Sequence, residues 1–145
     1  MILDHGLDCP DEASGASLME WFTETLHGGW RQQIKVREVL YHDKTGHQDL
    51  ILFDSEQWGR VLALDGVVQT TTGDEFAYHE MLVHPALLAH GRVRSVCIVG
   101  GGDGGTAREV VKHAGVQRIV QAELDPGVIE FCKKYLPRLS DGAFD

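Results

Sequence analysis

The sequence predicts an α/β chain in two parts, a small N-terminal antiparallel β domain followed by the first half of a doubly wound parallel sheet. Three observations carry this prediction. Short β-rich runs crowd residues 33–71 around the pair Asp65-Gly66, and Asp-Gly between two such runs is the strongest short-range hairpin signal because both turn positions need positive φ. From Val93 onward the pattern becomes strand, helix, strand, helix, the alternation that builds a parallel sheet. The first of those strands runs into VGGGDGGTAREVV, Val99 to Val111, a glycine-rich turn that opens a helix.

In chain order, residues 1–18 are acidic, contain Gly, Ser and Pro, and show no periodicity, which predicts a mobile leader. The N-terminal β domain is expected over 19–72. Ile34, Val36 and Leu40 belong to one extended run, DKTG (Asp43 to Gly46) is a turn, and DLILF (Asp49 to Phe53) is a second run. VLAL (Val61 to Leu64) and VVQT (Val67 to Thr70) flank the Asp-Gly turn. A connecting helical segment is expected over 73–90. In DEFAYHEMLVH, Asp74 to His84, Phe76, His79/Glu80 and Val83 fall at helical spacing, Asp74 can cap, and Pro85 either ends the helix or starts another. In the remainder, 91–145, VRSVCIV (Val93 to Val99) is a strand and Thr106 to His113 a helix closed by Gly115. RIVQAEL (Arg118 to Leu124) is a strand, and DPGVIEFCKKY (Asp125 to Tyr135) is a helix capped by Asp125 with Pro126 at its first position. Two parallel strands with two helices leave an open edge and an uncovered face, so 91–145 reads as part of a larger Rossmann-type domain.

Composition narrows the function. With 145 residues and 43% apolar content the chain can bury a core. Its 13 basic and 22 acidic residues give a formal charge of -9, which leaves no basic stripe to displace counterions from a nucleic acid. If charge selects a ligand, it selects a cation. Cys9, Cys97 and Cys132 are odd in number and form no C-x-x-C, so neither a disulfide framework nor a zinc knuckle is expected and a reducing cytoplasm is the simplest home. No apolar run approaches ~18 residues and the N-terminus lacks a secretory layout, so no membrane association is expected.

The glycine turn matches G-x-G-x-x-G at Gly100, Gly102 and Gly105, with Gly101 and Asp103 inside it. Such turns commonly approach the pyrophosphate of a dinucleotide. A carboxylate at Asp103 would repel that pyrophosphate. A sulfonium nucleoside related to S-adenosylmethionine has adenosine, no phosphate, and a side chain that can end in an ammonium group a carboxylate attracts. The competing role for Asp103 is to cap the following helix, and for the glycines, packing alone. Twenty positions beyond Asp103, Glu123 closes the second strand, where one carboxylate can take both hydroxyls of a ribose. HEMLVH, His79 to His84, invites a zinc reading, but H-E-x-x-H would need its second histidine at Val83. At about 100° per residue His79 and His84 diverge by about 140°, so no metal is expected. On its own His79 suits a solvated or core-edge position, and Gln48 a strand residue facing water. Trp30, Trp58 and the cysteines are assigned to packing or surface, and Lys112/His113 and Lys133/Lys134 to solvated helix ends.

Taken together, YHDKTGHQDL (Tyr41 to Leu50), LDGVVQT (Leu64 to Thr70), DEFAYHEM (Asp74 to Met81), VGGGDGG (Val99 to Gly105) and YLP (Tyr135 to Pro137) resemble the polyamine aminopropyltransferases, the spermidine synthase family. The resemblance runs from about Trp21 to the last residue. It implies a methyltransferase-type Rossmann-like domain behind the β domain, with the site in the cleft between them. It implies that Gln48 and Glu123, with Gly100, Gly101 and Gly102, hold the nucleoside of decarboxylated S-adenosylmethionine. It further implies that Asp103 binds the aminopropyl ammonium or the acceptor polyamine, and that Tyr78 and His79 line the amine pocket. Dimers or tetramers through the N-terminal sheet are also implied.

The implied reaction is a nucleophilic substitution at the carbon next to the sulfonium: putrescine attacks, methylthioadenosine leaves and spermidine forms, without a metal. The family's proton-accepting aspartate lies on a later strand, past SDGAFD (Ser140 to Asp145), so no catalytic residue is assigned here and the 145-residue chain alone is expected to show little or no transferase activity. Two other functions stay open, a methyltransferase on the same fold and a non-catalytic binding or assembly module.

Overall fold

The computed structural model describes residues 19–144; the expected leader, 1–18, and Cys9 lie outside the described residues. Strands β1 (Trp21–Thr23) and β2 (Gln33–Lys35) pair antiparallel with Phe22 opposite Ile34. Four antiparallel strands follow in sequence order, β3 (Glu38–Lys44), β4 (Asp49–Ser55), β5 (Gly59–Leu64) and β6 (Val67–Thr71). The single extended run expected from Ile34 to Leu40 is therefore two strands in two sheets. The amide of Val36 still donates to Glu20, whereas that of Arg37 donates to Asp54, so the backbone changes partners at this point. The Asp-Gly hairpin forms as expected, with φ of 49° at Asp65 and 76° at Gly66.

The four-stranded sheet is a middle layer. Leu50, Leu52 and Leu62 pack against Val128, Phe131, Cys132, Leu136 and Leu139. From the opposite face, Ile51, Phe53, Val61 and Ala63 meet Phe22, Ile34 and Val36 of the small sheet. A strand covered on both sides has no solvent face, which is why Leu50 to Phe53 is apolar without alternation. Cys132 is in this core, and burial together with the charges of Asp103 and Glu123 pushes its thiol up to about 12.

Helix α1 (Glu75–His90) runs through Pro85 without a break. Pro85 is exposed and so is Met81, so water can serve the Met81 carbonyl that a proline leaves without a donor. Asp74 occupies the N-cap but makes no capping bond; it accepts from the Thr71 hydroxyl at 2.6 Å instead. The buried stripe of α1 is His79 and Val83, while Phe76 faces solvent, contrary to the expected periodicity.

Strand β7 (Ser95–Val99), helix α2 (Gly105–Val111), strand β8 (Arg118–Ala122) and helix α3 (Pro126–Tyr135) supply the β-α-β-α alternation, with β7 and β8 parallel and in register. Helix α2 ends at Val111 rather than His113, and the cap is Lys112 in right-handed conformation rather than Gly115. At α3 Asp125 caps as expected, accepting from the Gly127 amide. A further short helix, α4 (Pro137–Ser140), packs against α2 and α3. No helix among the described residues is long and apolar enough to cross a membrane.

Candidate functional site

The glycine turn leaves β7 while the Gly100 amide still donates to Ala122 at the end of β8. Gly100, Gly101 and Gly104 have φ of 78°, 73° and 84°, values that cost a side-chain-bearing residue free energy. Gly102 is needed for a different reason, because a Cβ there would lie 2.9 Å from Glu123 Oε2 and 3.0 Å from Val128. Gln121, on β8, braces the turn by donating Nε2 to the carbonyls of Gly100 (3.0 Å) and Gly101 (2.7 Å).

On one side of the turn the structure gathers carboxylates and amides. Glu123 Oε2 accepts from the Gly102 amide at 2.9 Å and Oε1 from the Asp125 amide at 3.1 Å. Each oxygen keeps one of its roughly two lone-pair sites for another donor. The Gln48 amide bonds Asp125 rather than Glu123: its Nε2 donates to Asp125 Oδ2 at 3.0 Å, and the Thr45 hydroxyl donates to the same oxygen at 2.6 Å. Burial opposes the charge of Asp125, but the hydrogen bonds from Thr45, Gly127 and Gln48 outweigh it and hold the carboxyl below its ordinary range.

Beside Asp103 lies a cavity of about 440 Å³ whose walls include Gln69, Tyr78, His79, Gly101, Asp103 and Thr106. Asp103 Oδ1 accepts from the Gly105 amide at 2.8 Å, so it does serve the start of α2, and its Oδ2 lies 3.4 Å from His79 Nε2. His79 is only 1% exposed, and its Nδ1 sits 2.6 Å from Glu75 Oε2. Two parallel 2.9 Å bonds then join Glu75 to Arg108. Arg108 Nε reaches the fully buried Glu109 at 2.7 Å, and Glu109 also takes Lys112 and His84 Nε2. His84 Nδ1 in turn lies 2.8 Å from His113 Nε2. Lys112, exposed at the C-terminal end of α2 as expected, thus also reaches this buried carboxylate, and His113 joins the network through His84. Tyr78 is largely exposed, with its ring edge-on to His79 at 5.1 Å.

The electrostatics follow from these contacts. Burial opposes ionisation of Asp103, but the neighbouring His79 imidazole at 3.4 Å and the hydrogen bond from the Gly105 amide outweigh it, and the carboxyl sits below its ordinary value. The same balance, set by Arg108 and His79, depresses Glu75. Burial likewise opposes the His79 cation, yet Asp103 and Glu75 together raise its pKa.

Around the turn, Glu123, Asp125 and Gln48 thus belong to one hydrogen-bonded group, and Asp103, His79 and Tyr78 to a second cluster. Sequence reasoning missed Gln121, Thr45, Glu75, Arg108 and Glu109, and took Asp125 only as a cap. One local signal was present: Glu75 precedes His79 by four residues, the spacing that stacks side chains on one helix face.

An antiparallel sheet set ahead of a helix and a parallel pair with a glycine turn defines a chain of the methyltransferase-like α/β class. A family model described as spermidine synthase tetramerisation domain matches residues 20–72, and one described as spermine/spermidine synthase domain matches 75–145. The chain belongs to the spermine/spermidine synthase family. A polyamine aminopropyltransferase of Pectobacterium atrosepticum is 58% identical over 125 residues, 86% of this chain and 43% of that protein. Another, from Yersinia pseudotuberculosis, is 54% identical over 129 residues, 89% of this chain and 44% of that one. The chain thus spans less than half the length of these relatives. A crystal structure of spermidine synthase in complex with the transition state analogue AdoDATO superposes with a TM-score of 0.83 at 39% identity, over 94% of this chain and 46% of the other. The spermidine synthase of Thermotoga maritima gives the same score and identity, over 94% of this chain and 48% of its own.

Proposed function

We propose that this chain supplies the nucleoside site and part of the amine site for aminopropyl transfer from decarboxylated S-adenosylmethionine to putrescine, giving spermidine and methylthioadenosine. The observation that carries the proposal is the placement of Asp103, an ionised carboxylate on the glycine turn beside a cavity. A phosphate there would face a negative charge, whereas a sulfonium or ammonium is attracted.

Glu123 supports the ribose role, since its two oxygens are each oriented by one backbone amide and each keeps an acceptor site. Gln48 is assigned to the nucleoside through Asp125, which it helps to hold in place. Tyr78 and His79 are assigned to the amine pocket, whose cavity they line. The proposed division is 19–72 for the β domain, 73–90 for the connecting helix and 91–145 for the nucleoside-binding part.

The reaction itself is an attack by a neutral amine on the carbon beside the sulfonium. Alkyl amines titrate near ~10.4, so the attacking nitrogen must lose its proton while carboxylates hold the distal cation. Alignment of nitrogen, carbon and sulfur supplies much of the remaining acceleration. No residue of this chain is assigned as the base. The proposed setting is the cytoplasm, without nucleic acid or membrane partners and without a metal. Self-association as a homodimer or homotetramer is supported by the tetramerisation-domain match.

Calorimetry with decarboxylated and ordinary S-adenosylmethionine tests the assignment. The decarboxylated compound is expected to bind at least tenfold more tightly, because charged hydrogen bonds are worth about 1.5–3 kcal/mol, and Asp103→Asn is expected to remove the preference. Equal binding of the two compounds contradicts it, and a preference for ordinary S-adenosylmethionine favours a methyltransferase.

A further inference from the structure

We propose that Glu75 is a positioning residue: clamped by Arg108, its carboxylate keeps the Nδ1 proton of His79 in place, so that Nε2 faces Asp103 and the cavity as an acceptor for the substrate amine. The substrate half of this inference rests on the aminopropyl-transfer function proposed above. The positioning half rests on geometry alone.

His79 is too buried for water to choose its tautomer. Glu75 Oε2, at 2.6 Å from Nδ1, takes that proton as a hydrogen bond in either charge state of the ring. Glu75 cannot turn away, because both its oxygens are held at 2.9 Å by the two terminal nitrogens of Arg108, a two-pronged match that fixes orientation as well as charge. Arg108 is itself fixed by Glu109 through Nε and by the Leu139 carbonyl at 3.0 Å. Nε2 is far less committed, since 3.4 Å to Asp103 Oδ2 is too long for a strong hydrogen bond. Behind the ring, Gly105 lets the imidazole lie flat against the start of α2, where any Cβ would collide with it.

The groups facing His79 are few. Helix α1 contributes Glu75 and the edge of Tyr78, the glycine turn contributes Asp103, and α2 contributes the Gly105 backbone, with Arg108 behind Glu75. An ammonium arriving at Asp103 meets a repelling Nε2–H while the ring is charged and a lone pair once it is neutral. Diamine affinity should therefore rise as pH passes upward through the titration of His79.

The test follows the His79 ring nitrogens of the 145-residue chain by NMR across a pH titration, with the signal assigned from His79→Asn. Glu75→Gln is expected to lower the His79 midpoint by about one unit, a tenfold loss of proton affinity, and to reduce the population protonated at Nδ1. Phe53→Leu, a change in the β-domain core away from Glu75 and Arg108, should lower thermal stability and leave the His79 midpoint where it was, which separates positioning from structural support. If Glu75→Gln does not fold, Arg108→Lys, which keeps the charge and loses the two-pronged clamp, should reduce the Nδ1-protonated population. An unchanged His79 midpoint and tautomer in the folded variants overturns the proposal. In a parallel arm, putrescine is titrated by calorimetry with methylthioadenosine present, and the pH at which its affinity rises should follow the His79 midpoint downward in Glu75→Gln. Affinity that ignores pH overturns the acceptor role of Nε2. Failure of both small molecules to bind the unaltered chain overturns the functional reading, while the imidazole titration still decides the role of Glu75.

Discussion

A methyl group at position 105 would fall within the His79 imidazole, so the last glycine of the turn and the histidine four residues into α1 depend on each other. Gly105→Ala should cost about 1–3 kcal/mol, the usual penalty for overpacking, and a melting curve should fall by several degrees. A Gly105→Ala chain as stable as the parent would contradict this placement of the ring. The charged groups around it also set the pH range of stability. Glu75, Asp103 and Glu109 are held below ordinary values of 4.5, 3.8 and 4.5. Their contribution is complete above those values and is lost as pH falls through the depressed ones. His79 is held above its ordinary 6.5, so its contribution is complete below that pH and is lost as pH rises through the raised one. The melting temperature should therefore peak at roughly pH 5–6.5 and decline on both sides. A continuous rise through pH 8 would contradict the His79 assignment.

Among the elements, α3 links the sheet to the glycine turn, through Val128 in the core beside Gly102. Its cap, Asp125, receives the Gly127 amide on one oxygen and Thr45 and Gln48 on the other. Asp125→Ala should cost about 1–3 kcal/mol, since it removes a helix cap and leaves partly buried donors without an acceptor. Asp125→Asn, which keeps the capping oxygen, should recover part of the loss in chemical denaturation. This helix was legible in sequence because Asp-Pro is a local start signal, and the β5–β6 hairpin was legible because Asp-Gly sets its own backbone angles. The glycine turn with Asp103 and Glu123 was legible for a related reason, as a spacing between adjacent elements. What stayed hidden depends on partners distant in the chain. Arg108 meets Glu75 from 33 positions away, and Gln48 meets Asp125 from 77 away. No local pattern of charges distinguishes such pairs from a solvated face. The sheet change at Val36 was hidden likewise, because the second partner, Asp54, is contributed by a later strand.

At the scale of the whole molecule, the four-stranded sheet is the shared floor of two cores, with the small β1–β2 sheet on one face and α3 and α4 on the other. Residues 20–72, which match the tetramerisation-domain family model, therefore also carry the helices that brace the glycine turn. Sedimentation at micromolar concentration should give a multiple of the monomer mass, and a monomer at every concentration would contradict the self-association proposed for this region. The net charge of -9 and the carboxylate in the turn act in the same direction, against phosphate-bearing ligands. The most direct test of that preference is a calorimetric comparison of methylthioadenosine with nicotinamide adenine dinucleotide on the unaltered chain. Methylthioadenosine is expected to bind without competition from the dinucleotide; tight binding of the dinucleotide, displacing methylthioadenosine, would overturn the preference.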